Sequence, residues 1–525
     1  MNGRPKLESE NGHRNVRKWV SLPPLGNGLG TEMLHSSPEL SERIRHGTLT
    51  LYRKSMASHA HLIIKPDRRA TMSLSHQVCD NIRTAIDDGR LEVGARLPSV
   101  RDLASQLGVA RGTVQAAYDV LVSELLLSAA GSAGTRVIAK PPRHASTPSE
   151  PIARPLSTML RGFSLTALPF QTGVPAQDAF PTKLWASLLG RAVRDDAMTP
   201  TTYPDPRGHP ALRAQIAAYL AIARGLRCVP DQVIVTVCYR GGLALALQVL
   251  GASGQRAWME EPGYPITRMG LEMARVGPVA VPVDGEGIDV AAGIALAPEA
   301  RVAIVTPGQH SPLGATMSHA RRRTLLDWAE AADGWIIEDD YLGELQLGAR
   351  AAPALASGDT AGRVIHVGSF SKTLKPGVGI GFVVAPMALA TRFGKAAATL
   401  GPSFFAPSQL AIAQLLAEGH YLRHLRNMKR LYAERLSALR RALEADYPLE
   451  TVAGPIALLR LPQGIDDMAL ARRAPELGIA PSPLSPWYQD PERRMPGLLL
   501  SATNLRPNRV DEAVAALRRL LADRV

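Results

Sequence analysis

The chain has 525 residues, too long for one compact domain and enough for two or three. Its formal net charge of +13 suits a polyanionic partner, and 46% hydrophobic residues support large cores. Three cysteines, Cys79, Cys228 and Cys238, form no CxxC pair, which argues against a disulfide scaffold or a structural zinc site and fits a reducing cytoplasm.

No apolar stretch approaches the ~20 residues of a membrane span. The basic N-terminus lacks an apolar core beside a small-residue cleavage site, so no signal peptide is read. Residues 1–70 mix Gly, Pro, Ser and charge without periodicity and are expected to be mostly disordered, with Met56 and Met72 as alternative starts. From 74 to 137 the pattern tightens into three short helices and a strand-like end, expected as a domain over 71–139. A Pro/Ser/Ala stretch, KPPRHASTPSEPIARP (140–155), has linker composition, and the linker is placed at 140–165. Over 166–525 short apolar runs alternate with amphipathic helices. QVIVTV (232–237), RVAIVT (301–306), GWIIED (334–339) and RVIHVG (363–368) read as buried parallel strands, so the large domain is α/β.

Within the first domain, RLPSVRDLASQLGVARGTVQAAYDVLVSE (96–124) has the grammar of a helix-turn-helix. Ser99 is placed as the N-cap of a short helix with Leu103 and Leu107 inward. Gly108 breaks that helix and Val109 fills the turn. A second helix starts near Arg111, with Val114, Ala117, Tyr118 and Leu121 at i, i+3, i+4 and i+7. On this geometry Arg111 and Thr113 face base edges of double-stranded DNA, while Ser99 and Arg101 lie near phosphates. GSAGTRVI (131–138) reads as the wing of a winged helix, with Arg136 free to reach a groove. The order GRL, G-x-RLPS-x-R-x-LA, LGV-x-R-x-TV-x-x-AY and a Gly-rich wing resembles the GntR winged-helix family. Gly112 stands where that family usually has a polar residue.

In the large domain the question is whether Lys372, in GSFSKTLKPGVGIGF (368–382), anchors a cofactor. It follows an apolar run and stands directly after Ser371, among small hydroxyl residues that include Ser369. An aldehyde cofactor such as pyridoxal phosphate (PLP) needs an amine, an anion beside the pyridine nitrogen, a donor at the phenolic oxygen and donors around the phosphate. Lys372 supplies the amine, while WIIEDDY (335–341) offers Asp339 as the anion and Tyr341 as the phenolic donor. EEPGYP (260–265) places Tyr264 after a strand, where its ring can stack on a pyridine. Each residue alone has a structural explanation: a helix cap, a rim aromatic, a solvated lysine. Their order, each behind a buried-strand pattern, points to a site.

YPDPRGHPALR (203–213), EEPGYP, TPGQHSPLG (306–314), IIEDDY and GSFSKTLKPG resemble the aminotransferase-like domain of fold-type I PLP proteins, which carries a small C-terminal α+β subdomain. Joined to a GntR winged helix, they resemble the MocR/GabR family of bacterial regulators over roughly residues 74–520. That resemblance implies a head-to-tail homodimer with cofactor pockets shared between subunits, and a pocket ligand that changes how the DNA-binding modules are held. It gives Lys372 the imine with the cofactor, Asp339 the pyridine nitrogen, Tyr341 the phenolic oxygen, Tyr264 the ring face and Tyr203 a phosphate contact across the dimer.

The pattern breaks in places. Gly379 stands where the family usually has a phosphate-gripping arginine, which forfeits a bidentate charge-assisted contact. In TVCYRGGL (236–243), Cys238 replaces a glycine and Arg240 a glutamine; Arg240 is the candidate replacement for the lost charge, with Lys375 behind it. Gln309 and His310 reverse the family order, and Ser311 and Leu313 replace a larger residue and a threonine. Leu499, in PGLLLSATNL (496–505), matches the arginine that binds an amino acid's α-carboxylate in aminotransferases. Without that clamp a substrate loses orientation, so an α-amino acid is a poor ligand.

Three readings follow. The chain is a regulator that holds PLP at Lys372 and senses an amine or vitamer; or an aminotransferase with an appended DNA-binding module; or a regulator whose pocket has left PLP behind. The fused winged helix favours the first, with an aminotransferase half-reaction as a residual activity, and any effector must prefer one arrangement of the dimer. No metal-ligand cluster, P-loop or nucleotide fingerprint is read: GVGIG (377–381) follows the lysine instead of opening a helix after a strand.

Overall fold

The computed structural model describes residues 64–129, 131, 134–140, 167–200, 202–347, 351–401, 405–443, 446–452 and 454–522. The stretch expected to be disordered, up to residue 63, and the linker over 141–165 lie outside the described residues. The chain divides into two compact units between Arg154 and Pro155.

The first unit holds α1 (Leu74–Asp87), α2 (Val100–Leu107), α3 (Arg111–Ser123) and an antiparallel hairpin of β1 (Leu127–Ala129) and β2 (Thr135–Val137). Local signals set the helix ends. The Ser99 hydroxyl accepts from the Asp102 amide at 3.1 Å, capping α2. Gly108, at φ +63°, closes α2 in the left-handed conformation that a non-glycine adopts at a cost. The inward faces pack into one core of Val78, Ile82, Leu103, Val114 and Leu121, among others. The Tyr118 hydroxyl donates to the Pro98 carbonyl at 2.9 Å, which ties α3 to the entry of α2.

The second unit is built on a mixed sheet of eight strands. In chain order these are β3 (Val233–Val237), β4 (Arg256–Glu261), β5 (Gly277–Asp284), β6 (Gly287–Ile288), β7 (Val302–Val305), β8 (Trp335–Asp339), β9 (Val364–Ser369) and β10 (Ile380–Val384). In space the order is β3-β10-β9-β8-β7-β4-β5-β6. The four runs read as strands are β3, β7, β8 and β9, and β7, β8 and β9 pair in parallel as expected. β3 points the same way but reaches β9 only through β10, which runs antiparallel to both. The connection from β9 to β10 is too short for a crossover helix, so the chain must turn straight back. That short connection carries Lys372.

Side chains alternate between two apolar layers. Val233 and Val235 of β3 join the core under α4 (Thr182–Ala197) and α5 (Pro210–Ala223), while Ile234 joins the core under α6 (Cys238–Leu250). Each fully buried aliphatic side chain contributes about 1.5–3 kcal/mol, so both faces hold the sheet. The next helices are α7 (Pro265–Met273), α8 (Val290–Leu296), α9 (His319–Ala331), α10 (Met387–Leu400), α11 (Ala406–Ala417) and the long α12 (His420–Leu443).

A second, four-stranded sheet has the order β11-β12-β14-β13, from β11 (Leu449–Thr451), β12 (Ile456–Arg460), β13 (Ser482–Pro483) and β14 (Gly497–Ser501). Its pairs are antiparallel. With α13 (Asp467–Arg473), α14 (Val510–Ala522) and the end of α12 it encloses its own core. This is the small α+β part.

Candidate functional site

Tyr264, Asp339 and Lys372 follow or close the C-terminal ends of β4, β8 and β9, where open α/β sheets place their ligands. Lys372 is half-buried. Its Nζ donates to the Gly173 carbonyl at 3.0 Å, and Gly173 sits at φ +79°, a backbone conformation that favours glycine. Burial lowers the Lys372 pKa from its ordinary value; the Asp339 and Cys238 charges resist this and Arg240 adds to it.

Asp339 closes β8. Burial, reinforced by Asp340 and Glu260, holds its carboxyl well above the usual carboxylate range, against the pull of Lys372. The next residue faces elsewhere: Asp340 forms a bidentate pair with buried Arg224, at 2.6 and 2.8 Å. The strand stops at Asp339, so a turn, and not strand alternation, brings Tyr341 round to line the same cleft as Lys372. The Tyr341 phenol is raised by burial, with a side-chain hydrogen bond to Ser311. Tyr264 is the N-cap of α7, its ring tilted at 39° and centred 5.6 Å from Trp487. Burial raises its phenol, Asp339 adds to this and Arg240 opposes it. Asp339 thus acts on Lys372, Tyr341 and Tyr264 together.

On the other side of Lys372 stands a chain of small groups. Ser369 Oγ donates to Ser371 Oγ at 3.1 Å, and Ser371 Oγ donates to Cys238 Sγ at 3.1 Å. Cys238 opens α6 at φ +54°. Arg240, in the first turn of α6, is exposed and has no hydrogen bond or ion pair among the described residues. Gly379 sits at φ +69°, a conformation an arginine adopts only under strain. Tyr203 stands apart from these residues and is fully exposed.

A partly open cleft lies beside Lys372. Gly173, Tyr432, Ser501 and Thr503 line it, and sequence reasoning assigned none of them. The glycine in QTGVP (171–175) was the one local signal; the others are gathered from distant segments. Leu499 is buried in β14 against Val452, Ile456, Leu458, Leu484 and Tyr488. Glu260, quoted in EEPGYP but given no role, accepts from the Thr306 amide and hydroxyl at 2.9 and 2.6 Å. Burial pushes its carboxyl up to about 7, while burial holds His310, 3.7 Å away, down to about 4. Among the described residues no cluster of His, Cys, Asp and Glu could hold a metal ion. No helix among them is long and apolar enough to cross a membrane.

In the first unit, Arg101 and Arg111 are exposed and Thr113 is half-buried. The exposed Ser99 spends its hydroxyl proton on Asp102 Oδ2, at 2.7 Å. Arg136, expected to be free, donates to the Gly94 carbonyl at 2.9 Å. Arg68, placed by sequence in the disordered stretch, donates to Gly108 at 2.8 Å and so sits on the helix turn.

Comparison with known proteins decides the family. Residues 74–137 match the bacterial regulatory proteins of the gntR family, and residues 170–516 match aminotransferase class I and II. The chain is 36% identical over 472 residues to the probable rhizopine catabolism regulatory protein MocR of Rhizobium meliloti, covering 86% of this chain and 94% of that one. The chain belongs to the MocR/GabR family. TauR of Rhodobacter capsulatus, an HTH-type transcriptional regulator, is 33% identical across 86% of this MocR-type chain and 96% of its own length. Among solved structures, an archaeal alanine:glyoxylate aminotransferase superposes with a TM-score of 0.63 at 24% identity, over 69% of this chain and 92% of that one. LysN, an α-aminoadipate aminotransferase from Thermus thermophilus complexed with N-(5'-phosphopyridoxyl)-L-leucine, gives 0.60 at 27% identity, over 68% and 93%. The MocR-type chain therefore carries a winged helix ahead of a fold-type I aminotransferase fold. Its donor set, one amine of lowered pKa, one acid, one phenol and one stackable ring, fits an aldehyde cofactor.

Proposed function

We propose that this chain is a DNA-binding transcriptional regulator that holds PLP at Lys372 and responds to a small amine or vitamer. One observation carries the reading: a half-buried lysine amine of lowered pKa shares its cleft with a phenol and its field with a carboxylate. Lys372 is the residue to hold the aldehyde carbon, Asp339 the ring nitrogen, Tyr341 the phenolic oxygen and Tyr264 the ring face. Ser369, Ser371, Arg240 and the N-terminus of α6 are the groups to hold the phosphate, with Tyr203 serving the partner subunit's pocket. When bound, PLP supplies an electrophilic carbon and an electron-withdrawing ring.

The residues do the rest. Burial keeps a larger share of Lys372 neutral and nucleophilic than a solvated lysine has. Asp339, raised by burial, keeps a proton on the carboxyl–pyridine pair. Gly173 positions the amine through its carbonyl.

Ser99, Arg101, Arg111, Thr113 and Arg136 form the face for double-stranded DNA, from the first turns of two helices and the wing. The exposed Tyr203, with Met198, Ile222 and Phe405 also open to solvent, supports a head-to-tail homodimer. We place the domains at 71–139 and 166–525, joined by a linker over 140–165, in a cytoplasmic protein. An aminotransferase with an appended DNA-binding module draws support from the same amine, acid and phenol; sustained oxo-acid production from amino donors would favour it.

The purified full-length protein with PLP should absorb near the visible edge, and Lys372→Ala should abolish that band. Gel shifts on the DNA flanking its own coding region should then differ with and without PLP. A band that survives in Lys372→Ala overturns the reading.

A further inference from the structure

Outward from Lys372 the cleft is lined by apolar groups, Val174, Leu342 and Ile456 among them, by the Gly173 carbonyl and by hydroxyls. Two of those hydroxyls form a built pair. Ser501 and Thr503 are 1% and 6% exposed, and Ser501 Oγ lies 3.0 Å from Thr503 Oγ1, with either atom able to donate. The pair is fixed from behind. The Thr503 amide donates to Ser501 Oγ at 3.4 Å, Asn504 Nδ2 donates to Thr503 Oγ1 at 3.3 Å, and Arg435 donates to the Thr503 carbonyl.

Two hydroxyls that bond each other use one proton between them and keep the other for a third partner. A ligand hydroxyl, donor and acceptor at once, suits such a pair whichever way it is turned.

Positive charge is scarce here. Lys372 is the one cation among the described residues lining the cleft. Leu499, two residues before Ser501 on the same face of β14, is packed in an apolar cluster with Val452, Ile456 and Tyr488. The nearby buried Arg435 donates to Asp178 at 2.6 Å and to the Thr503 carbonyl, with its Nε without a partner among the described residues. An acid group drawn into this cleft would be desolvated with no cation of its own beyond Lys372, since Asp178 already neutralises Arg435, whereas a hydroxyl would exchange water for Ser501 and Thr503.

We propose that the ligand read at this site is a primary amine whose carbon skeleton bears hydroxyl and no acid group, with the Ser501–Thr503 pair determining that specificity. The inference rests on the reading that Lys372 holds PLP.

Three amines of equal length test it against the full-length, PLP-loaded protein: pentylamine, 5-amino-1-pentanol and 5-aminopentanoate, each titrated on the visible-edge absorbance. The amino alcohol should half-saturate at about tenfold lower concentration than pentylamine, and the amino acid at a concentration at least about tenfold above the alcohol. In the Ser501→Ala, Thr503→Val double variant, the advantage of the alcohol over pentylamine should collapse to a ratio of about one. An acid that binds as tightly as the alcohol, or a double variant that keeps the preference, overturns the proposal. Should the variant fail to fold, the ratios measured on the native chain still decide. A missing band, or one that persists in Lys372→Ala, is a different result and strikes the proposed function instead.

Discussion

The amide of Cys238 donates to the carbonyl of Gly379 at 3.2 Å. Two of the three positions read as departures from the family's phosphate-holding pattern are therefore bonded neighbours, and both have positive φ, at 54° and 69°. At position 379 a Cβ would meet no atom within 4 Å, so there is space for a side chain but an unfavourable backbone; position 238 holds a side chain in a backbone that glycine prefers.

Cysteine in the left-handed region costs on the order of 1 kcal/mol, so Cys238→Gly is expected to stabilise the folded chain by about that amount. The loss of the Ser371 contact to Cys238 Sγ offsets part of the gain. Urea denaturation of native and variant protein measures the difference; a variant clearly less stable than the native chain would show that the sulfur contact outweighs the backbone strain.

With glycine at 379, Arg240 is a cation whose charge reaches the site, adding to the burial that lowers Lys372 and opposing the burial that raises Tyr264. Arg240→Ala is expected to weaken PLP retention about tenfold or more, consistent with the loss of a charge-assisted contact. Lys375→Ala is expected to do less. Residual cofactor after dialysis reads both, and undiminished occupancy in Arg240→Ala removes Arg240 from the phosphate site.

Glu260 and His310 give a signed pH prediction. The folded Glu260 carboxyl titrates at about 7 against an ordinary 4.5, so its folded form binds more protons, and stability falls as pH rises from 4.5 to 7. The folded His310 titrates at about 4 against 6.5, so stability is lost as pH falls from 6.5 to 4. Each effect amounts to about 3 kcal/mol at full development, and in the overlapping window they oppose each other. Glu260→Gln removes one of them. Relative to the native chain, the variant should lose stability on acidification from pH 6.5 to 4.5, followed by thermal unfolding; a difference between the two that does not change with pH would refute the assignment.

Arg224 is 1% exposed and its guanidinium is bound by Asp340. Arg224→Met strands that carboxylate and is expected to cost about 3–5 kcal/mol, whereas Arg224→Met with Asp340→Asn should recover much of the loss. Chemical denaturation of the two variants compares them directly. Equal losses would mean that the pair is worth no more than its packing.

Much of this was legible in sequence where the signal is local. β3, β7, β8 and β9 announce themselves as apolar runs, and Lys372, Asp339 and Tyr264 each follow such a run or close it, so their meeting at one sheet edge follows from parallel strands. The direction of β10 was hidden, because VGIGFVV carries the same apolar pattern whichever way it runs; only the shortness of the loop after β9 decides it. Tyr341 reached the expected place by a turn and not by strand alternation. Gly173, Ser501 and Thr503 gave little warning, since a cleft wall drawn from both ends of a domain has no periodicity of its own. The partnership of Glu260 with His310 was equally silent, as it depends on burial and not on spacing.

Helix α12 runs from the loop that carries Lys372 to the small sheet. Near its start, Tyr421 and His424 hold Thr373, the residue after Lys372, at 2.9 and 2.7 Å. Midway, Tyr432 reaches the cleft, and toward its end Leu436, Leu439 and Leu443 are embedded in the core of the small sheet. One rigid beam is thus anchored in both walls of the cavity. A single helix therefore braces the loop that carries the lysine, the space beside it and the small sheet beyond.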